Sequence, residues 1–258
     1  MSAGRALRST WSAAWREAVA NRRGFWTQVS VMVANDVAWI VFWIIFFDRV
    51  GAVRGWDVDS LLTLLAVLTT AGGIVLGFLA NTRHVGQLAA DGGLDATLAL
   101  PVHPLLHLLV RRVYPSNLGD VVFGLGLFVV AGDPTPARIG RFAVVGVLSS
   151  VVLASFLVLV GSLALFVGRN DAGELGFHSI VMFASYPVDI FTGATKVLLY
   201  TAIPAGFVSA VPARVVEDPS LGLLGGLTAV AAGLAAGAWA TFTLGLRRYT
   251  SGSVWTRA

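Results

Sequence analysis

The chain has 258 residues, of which 56% are hydrophobic and 12% charged, and its mean hydropathy is +0.79. A soluble domain carries about twice that share of charge, so the composition describes an integral membrane protein and excludes a water-soluble enzyme. The net charge of +4 comes from arginines dispersed beside apolar runs, which fits membrane orientation better than nucleic-acid binding, and the absence of cysteine removes disulfides, thiolate nucleophiles, iron–sulfur clusters and cysteine-based zinc sites.

Residues 1–24 carry Arg5, Arg8, Arg16, Arg22 and Arg23 without an apolar core, so they do not read as a secretory signal. On a helical wheel Leu7, Trp11, Ala14 and Ala18 share one face while Arg5, Arg16 and Arg23 lie opposite, which predicts an amphipathic helix in the cytoplasmic interface. A frayed basic leader is the alternative.

The apolar runs predict an all-α bundle, one transmembrane domain over 1–258 with six spans at about 25–47, 61–80, 114–131, 142–167, 196–212 and 221–246. The third span begins only after Arg111 and Arg112 and is barely long enough. From Leu175 onward the chain is broken by Pro187, Asp189, Lys196, Pro204 and Pro212, which predicts an interfacial piece followed by a short span. The last span closes on Arg247, Arg248 and Tyr249, residues that anchor a helix at the membrane–water boundary. Six spans place both termini on one side, and with that side cytoplasmic twelve of the eighteen basic residues fall there, Arg83, Arg169 and Arg257 among them.

Within the first span Asp36 lies near the midplane beside Asn35, where an ionised carboxylate costs about 2.5 kcal/mol or more. Such a residue lines a substrate path or receives a cation, or else it makes an interhelical hydrogen bond. Asp120 reads differently: Ser116 or Asn117 caps a helix after Pro115, and Asp120 complements the dipole in its first turn. The pairs Gly73/Gly77, Gly222/Gly226 and Gly233/Gly237 have the four-residue spacing of close helix contacts. His103 and His107 stand one turn apart across Pro104 without an evident third ligand, so they read as interfacial histidines and no metal site is expected.

Catalytic signatures are missing. Lys196, the one lysine, lies in Gly193-Ala-Thr-Lys without the paired glycines of a phosphate-binding loop, and neither Gly-x-Ser-x-Gly nor His-Glu-x-x-His occurs. A membrane-embedded lipid-modifying enzyme would need clustered His, Asp or Ser beside a basic phosphate site. An ion-coupled carrier would need paired titratable groups inside the bundle, and only Asp36 clearly qualifies.

The loop over 82–104 is long and only half apolar. It cannot span, but it fits a short amphipathic helix whose Leu88, Leu94 and Leu98 dock into a partner's groove; a helix lying on the surface is the plainer alternative.

Three motifs in this order resemble the ABC-2 type permeases, specifically the small six-span branch formerly filed as a domain of unknown function. They are Gly92-Gly-Leu-Asp-Ala-Thr-Leu-Ala-Leu-Pro-Val-His-Pro, Tyr186-Pro-Val-Asp-Ile-Phe, and Ile203-Pro-Ala-Gly-Phe followed by Val211-Pro-Ala; Tyr249 to Gly252 also fits. The resemblance implies one transmembrane half of an ATP-driven exporter, with no cofactor of its own and with ATP and Mg bound by partner subunits. It implies two ATP-binding cassette ATPase subunits and a second permease, often a different chain, otherwise an identical copy. Coupling to the ATPase would fall on Gly86, Gln87, Leu88, Leu94, Asp95 and Leu98, and path elements on Asn35, Asp36, Tyr186, Asp189 and Phe191. Leu100 departs from the family pattern, which has a basic residue there. Low lysine with abundant Arg, Ala and Gly suits a GC-rich bacterial genome, so a bacterial inner membrane, contacts with its lipids and no nucleic-acid partner are expected.

Overall fold

The computed structural model describes residues 3–131, 133–168 and 171–249, so Arg169, Arg257 and the 250–252 part of the C-terminal motif lie outside the described residues. The described chain is helical throughout, with one isolated bridge between Val53 and Trp56 and no strand. Four helices are long and apolar enough to cross a membrane, and two bent helix pairs raise the number to as many as six.

The amphipathic helix α1 (Ala3–Ala20) packs onto the bundle. Ala14 is buried against Val113 and Leu118, and Trp15 stacks on Phe78 with ring centroids 6.2 Å apart. Asn21 then caps α2 (Arg22–Val50) by accepting the Gly24 N–H at 3.0 Å. At 29 residues α2 is about 43 Å long, more than the hydrocarbon thickness requires. Its buried side chains, Val29, Asp36, Ile40, Trp43 and Phe47, recur every three to seven residues and form one narrow stripe, while most of its other aromatic and aliphatic residues face outward.

A tight turn at Gly51 to Gly55, with Arg54 and Gly55 at positive φ, leads to α3 (Val58–Gly73), which starts with a reciprocal Asp57–Ser60 capping box. This helix is buried on nearly every side and is the axis of the bundle. It ends in a π-helical turn over Ile74–Phe78 and a 3-10 turn over Ala80–His84. The loop that follows carries α4 (Val85–Ala90), α5 (Asp95–Leu98) and α6 (Pro104–Val110). A 79° bend separates α6 from α7 (Pro115–Ala131), because Pro115 lacks an N–H and holds Tyr114 out of the helical region.

The chain returns through α8 (Pro136–Ser162), extended by the single turn α9 (Ala164–Val167). Next come α10 (Ala172–Ala184), a 3-10 turn over Val188–Ile190, α11 (Gly193–Thr201), α12 (Ala205–Val208), α13 (Ala210–Glu217) and α14 (Leu221–Leu246). Over the predicted short span at 196–212 the chain bends by 56° between α11 and α12–α13, where Pro204 and its neighbours interrupt the hydrogen-bond ladder.

The packing order runs α14, α8, α3, α7, α2, with α10 and α13 laid across α8. Glycine sets the closest approach: a Cβ on Gly73 would come within 2.6 Å of Val121, and one on Gly77 within 2.8 Å of Leu118, so α3 and α7 touch backbone to backbone. The other predicted glycine pairs differ. Gly226 and Gly233 have open space beside them, and Gly237 has only an ordinary 3.4 Å contact with Leu159.

Both ends of the described chain reach one end of the bundle. There α1 packs on α6, Arg83 lies 5.0 Å over the Phe177 ring, Arg248 lies 5.4 Å over Phe166, and Tyr249 bonds to Asp95.

Candidate functional site

Two buried carboxyl groups meet inside the bundle. Gly119 lets α7 approach α2 so closely that a Cβ there would fall 2.8 Å from the Val29 carbonyl and 2.9 Å from the Met32 side chain. One turn beyond Met32 stands Asp36, and next to Gly119 stands Asp120, so the close approach brings the two side chains within hydrogen-bonding reach. They are only 8% and 7% exposed. Asn117 Nδ2 donates to Asp120 Oδ2 at 3.4 Å, whereas Asp36 Oδ2 and Asp120 Oδ1 are buried and accept no hydrogen bond.

The pair borders a cavity of about 430 Å³. Asn35 and Trp39 of α2, Thr69 and Leu65 of α3, Leu153 of α8 and Ser185 after α10 contribute to its wall. Asp120 therefore does not serve the helix dipole as expected: Pro115 is the first residue of α7, which puts Asp120 beyond the first turn and on the face toward α2. The spacing from Pro115 carries that signal in the sequence; the identity of the facing residue does not appear there.

The remaining predicted path residues lie elsewhere. Tyr186 makes an edge contact with Trp43 at 5.6 Å and lines a separate apolar cavity of about 280 Å³ with Phe47, Trp56, Pro187 and Ile190. Phe191 packs edge-on against Phe183 at 5.8 Å. Asp189 belongs to neither cavity. Its Oδ1 receives Lys196 Nζ at 2.8 Å, and its Oδ2 receives Trp56 Nε1 at 3.2 Å and an Arg214 guanidinium N–H. Burial pushes this carboxyl up, but the hydrogen bonds from Lys196 and Trp56 and the charges of Arg214 and Lys196 outweigh it and hold it below the ordinary carboxylate range. Asp189 is thus a clamp that ties the 51–56 turn, α11 and α13 together.

The predicted coupling loop also has a definite geometry. A single amphipathic helix does not form, because Asp91-Gly92-Gly93 breaks it and Gly92 takes φ +77°. Leu94 is fully buried while Leu98 is 48% exposed, so the leucines do not share a face. Gly86 seats on α8, where a Cβ would meet the Gly161 carbonyl at 2.8 Å, and Leu88 is half-buried. Asn81 Nδ2 donates to the Leu108 carbonyl at 2.7 Å, and His103 stacks on Trp239 with centroids 3.9 Å apart. Gln87, Asp95, Leu98 and Leu100 are left on the outer surface. Among the described residues no group of three metal-ligating side chains converges.

A family model described as ABC-2 family transporter protein matches residues 33–253. The chain belongs to the ABC-2 transporter family. Comparison with curated proteins and with solved structures gave no match. As an ABC-2 permease this is a multi-pass, all-helical membrane component of an ABC transporter, and membership implies association with ATPase partners. The 33–253 match takes in α2 from its middle onward, the α4–α6 loop, the Asp189 clamp and α14, and it leaves α1 outside.

Proposed function

We propose that this ABC-2 permease is one transmembrane half of an ATP-driven exporter in a bacterial inner membrane, with its α1 end and both termini toward the cytoplasm. Two ATP-binding cassette subunits bind ATP and Mg and hydrolyse the nucleotide, and a second permease, different or identical, completes the path. This chain has no catalytic role.

The observation that carries the reading is the connection between the outer loop and the cavity. Gly86 rests on Gly161 of α8, and Leu153, about 12 Å along the same helix, is part of the wall beside Asp36 and Asp120. A push on Gln87, Asp95 and Leu98 by a closing ATPase is passed through α8 to the cavity. Alternating access follows when α8 and α3 shift relative to α2 and α7 and open the Asn35–Asp36 region to the opposite side, with Tyr186 and Phe191 beside the outward route.

The carboxyl pair also satisfies a requirement of an ion-coupled carrier, and this second reading is separable by experiment. Gentle solubilisation of the tagged chain, mass spectrometry of the purified complex and an ATPase assay test the exporter. A co-purifying Walker-containing ATPase with a second permease supports it; uncoupler-sensitive transport by this chain alone in liposomes overturns it.

A further inference from the structure

The cavity beside Asp36 and Asp120 holds negative character with no counter-charge of its own. Among the described residues, none that lines it is Lys, Arg or His. Asp36 and Asp120 are each more than nine-tenths buried, and apart from a proton the two carboxyls can share, each has one enclosed oxygen that no donor from another described residue reaches; a pair that shares one proton keeps one negative charge. A buried carboxyl oxygen in apolar surroundings is stabilised when a donor or a cation reaches it.

The rest of the wall says what kind of cation that is. Leu65, Leu68, Leu76 and Leu153 make one side apolar, and Trp39, 40% exposed, adds an indole face, the aromatic surface with the strongest attraction for cations. A volume of about 430 Å³ suits an organic molecule. A metal ion would use the two carboxyls and at most the oxygens of Asn35, Thr69 and Ser185, and would leave the apolar majority of the wall unmatched.

We propose that this cavity binds lipophilic organic ammonium ions, the N–H donors directed at Asp36 and Asp120 and the apolar body along Trp39 and the leucines of α3. The assignment deepens the exporter reading by naming a ligand class, and it rests on that reading only for the step from binding to transport.

The test uses the full chain in phosphatidylcholine nanodiscs, titrated with dansylcadaverine, a primary ammonium on an apolar fluorophore, and with its N-acetylated uncharged counterpart. Wild-type protein is expected to bind the ammonium about tenfold tighter than the acetylated probe or better. D36N combined with D120N should abolish the preference without changing the affinity for the acetylated probe. Trp39→Leu, at an accessible position, should weaken the ammonium more than the amide and provides the reading if the double variant does not fold. Equal affinity of the two probes in wild type, or an undiminished preference in D36N/D120N, overturns the proposal. Binding is measured without ATP or partner subunits, so a missing preference removes the ligand class and leaves the permease reading standing.

Discussion

Tyr249 Oη donates a 2.7 Å hydrogen bond to Asp95 Oδ1, joining residues 154 positions apart and fastening the end of α14 to the outer loop. The contact is solvent-accessible, so its removal should leave the bundle intact. Tyr249→Phe is expected to change the melting temperature little, to raise hydrogen exchange over residues 91–98, and to lower partner-coupled ATP hydrolysis severalfold. Unchanged exchange in that segment would show that the loop is held by its other anchors alone.

Leu98 offers a cleaner test of the outer surface, because its side chain is half exposed and supports little of the core. Leu98→Glu should preserve a monodisperse, folded chain and prevent ATPase subunits from co-purifying. Retention of a stoichiometric, active ATPase by this variant would move the coupling contact elsewhere.

Gly73 and Gly226 form a matched pair for helix packing. A methyl group at Gly73 collides with the Val121 backbone, whereas one at Gly226 meets open space. Gly73→Ala should destabilise the bundle by about 1–3 kcal/mol, as overpacking does, and Gly226→Ala should be neutral or slightly stabilising through helix propensity. Thermal melts in one detergent compare them directly, and equal melting temperatures would contradict the close α3–α7 contact.

The Asp189 clamp has a pH signature. Its folded value lies below its unfolded one, so its contribution is fully present above the ordinary carboxylate value of about 4 and is lost as pH falls through the lower folded value. Asp189→Asn should destabilise the protein by about 1–3 kcal/mol at neutral pH, since the two cations lose their counter-charge and an NH2 replaces one of the two acceptor oxygens. Lys196 and Arg214 are partly exposed, which keeps the cost toward the lower figure. The gap between wild type and variant should be constant above about pH 5 and narrow as the pH falls through about 4 toward the lower folded value; a gap independent of pH would assign the effect to packing.

The long helices are legible because each needs only an uninterrupted apolar run: α2, α3 with its π turn, α8 and α14 all announce themselves in this way. The bent pairs are legible as trouble spots, since Pro115 and Pro204 mark where the ladder breaks, but the bend angles depend on neighbours distant in sequence. Asp36 stands out alone as a charge in an apolar span. Asp120 looks like a helix-start residue until Gly119 is seen against Val29 and Met32. Asp189 looks like a path residue until Trp56, Lys196 and Arg214 occupy its oxygens. In the loop, leucine spacing suggests one amphipathic face, and the break at Gly92 turns Leu94 inward and Leu98 outward. For the two aspartates the deciding information is a contact between remote segments, which local periodicity does not contain, whereas the loop is decided locally by the glycine pair at 92–93.

The pairing of Asp36 with Asp120 has a consequence for biogenesis. Asp36 belongs to the first long helix made and Asp120 to a helix synthesised after two intervening turns of the chain, so during insertion the earlier carboxyl enters the bilayer before its companion exists. Packing of α7 against α2 through Gly119 gives that carboxyl its polar companion and lowers the cost of about 2.5 kcal/mol or more that it carries alone in the bilayer.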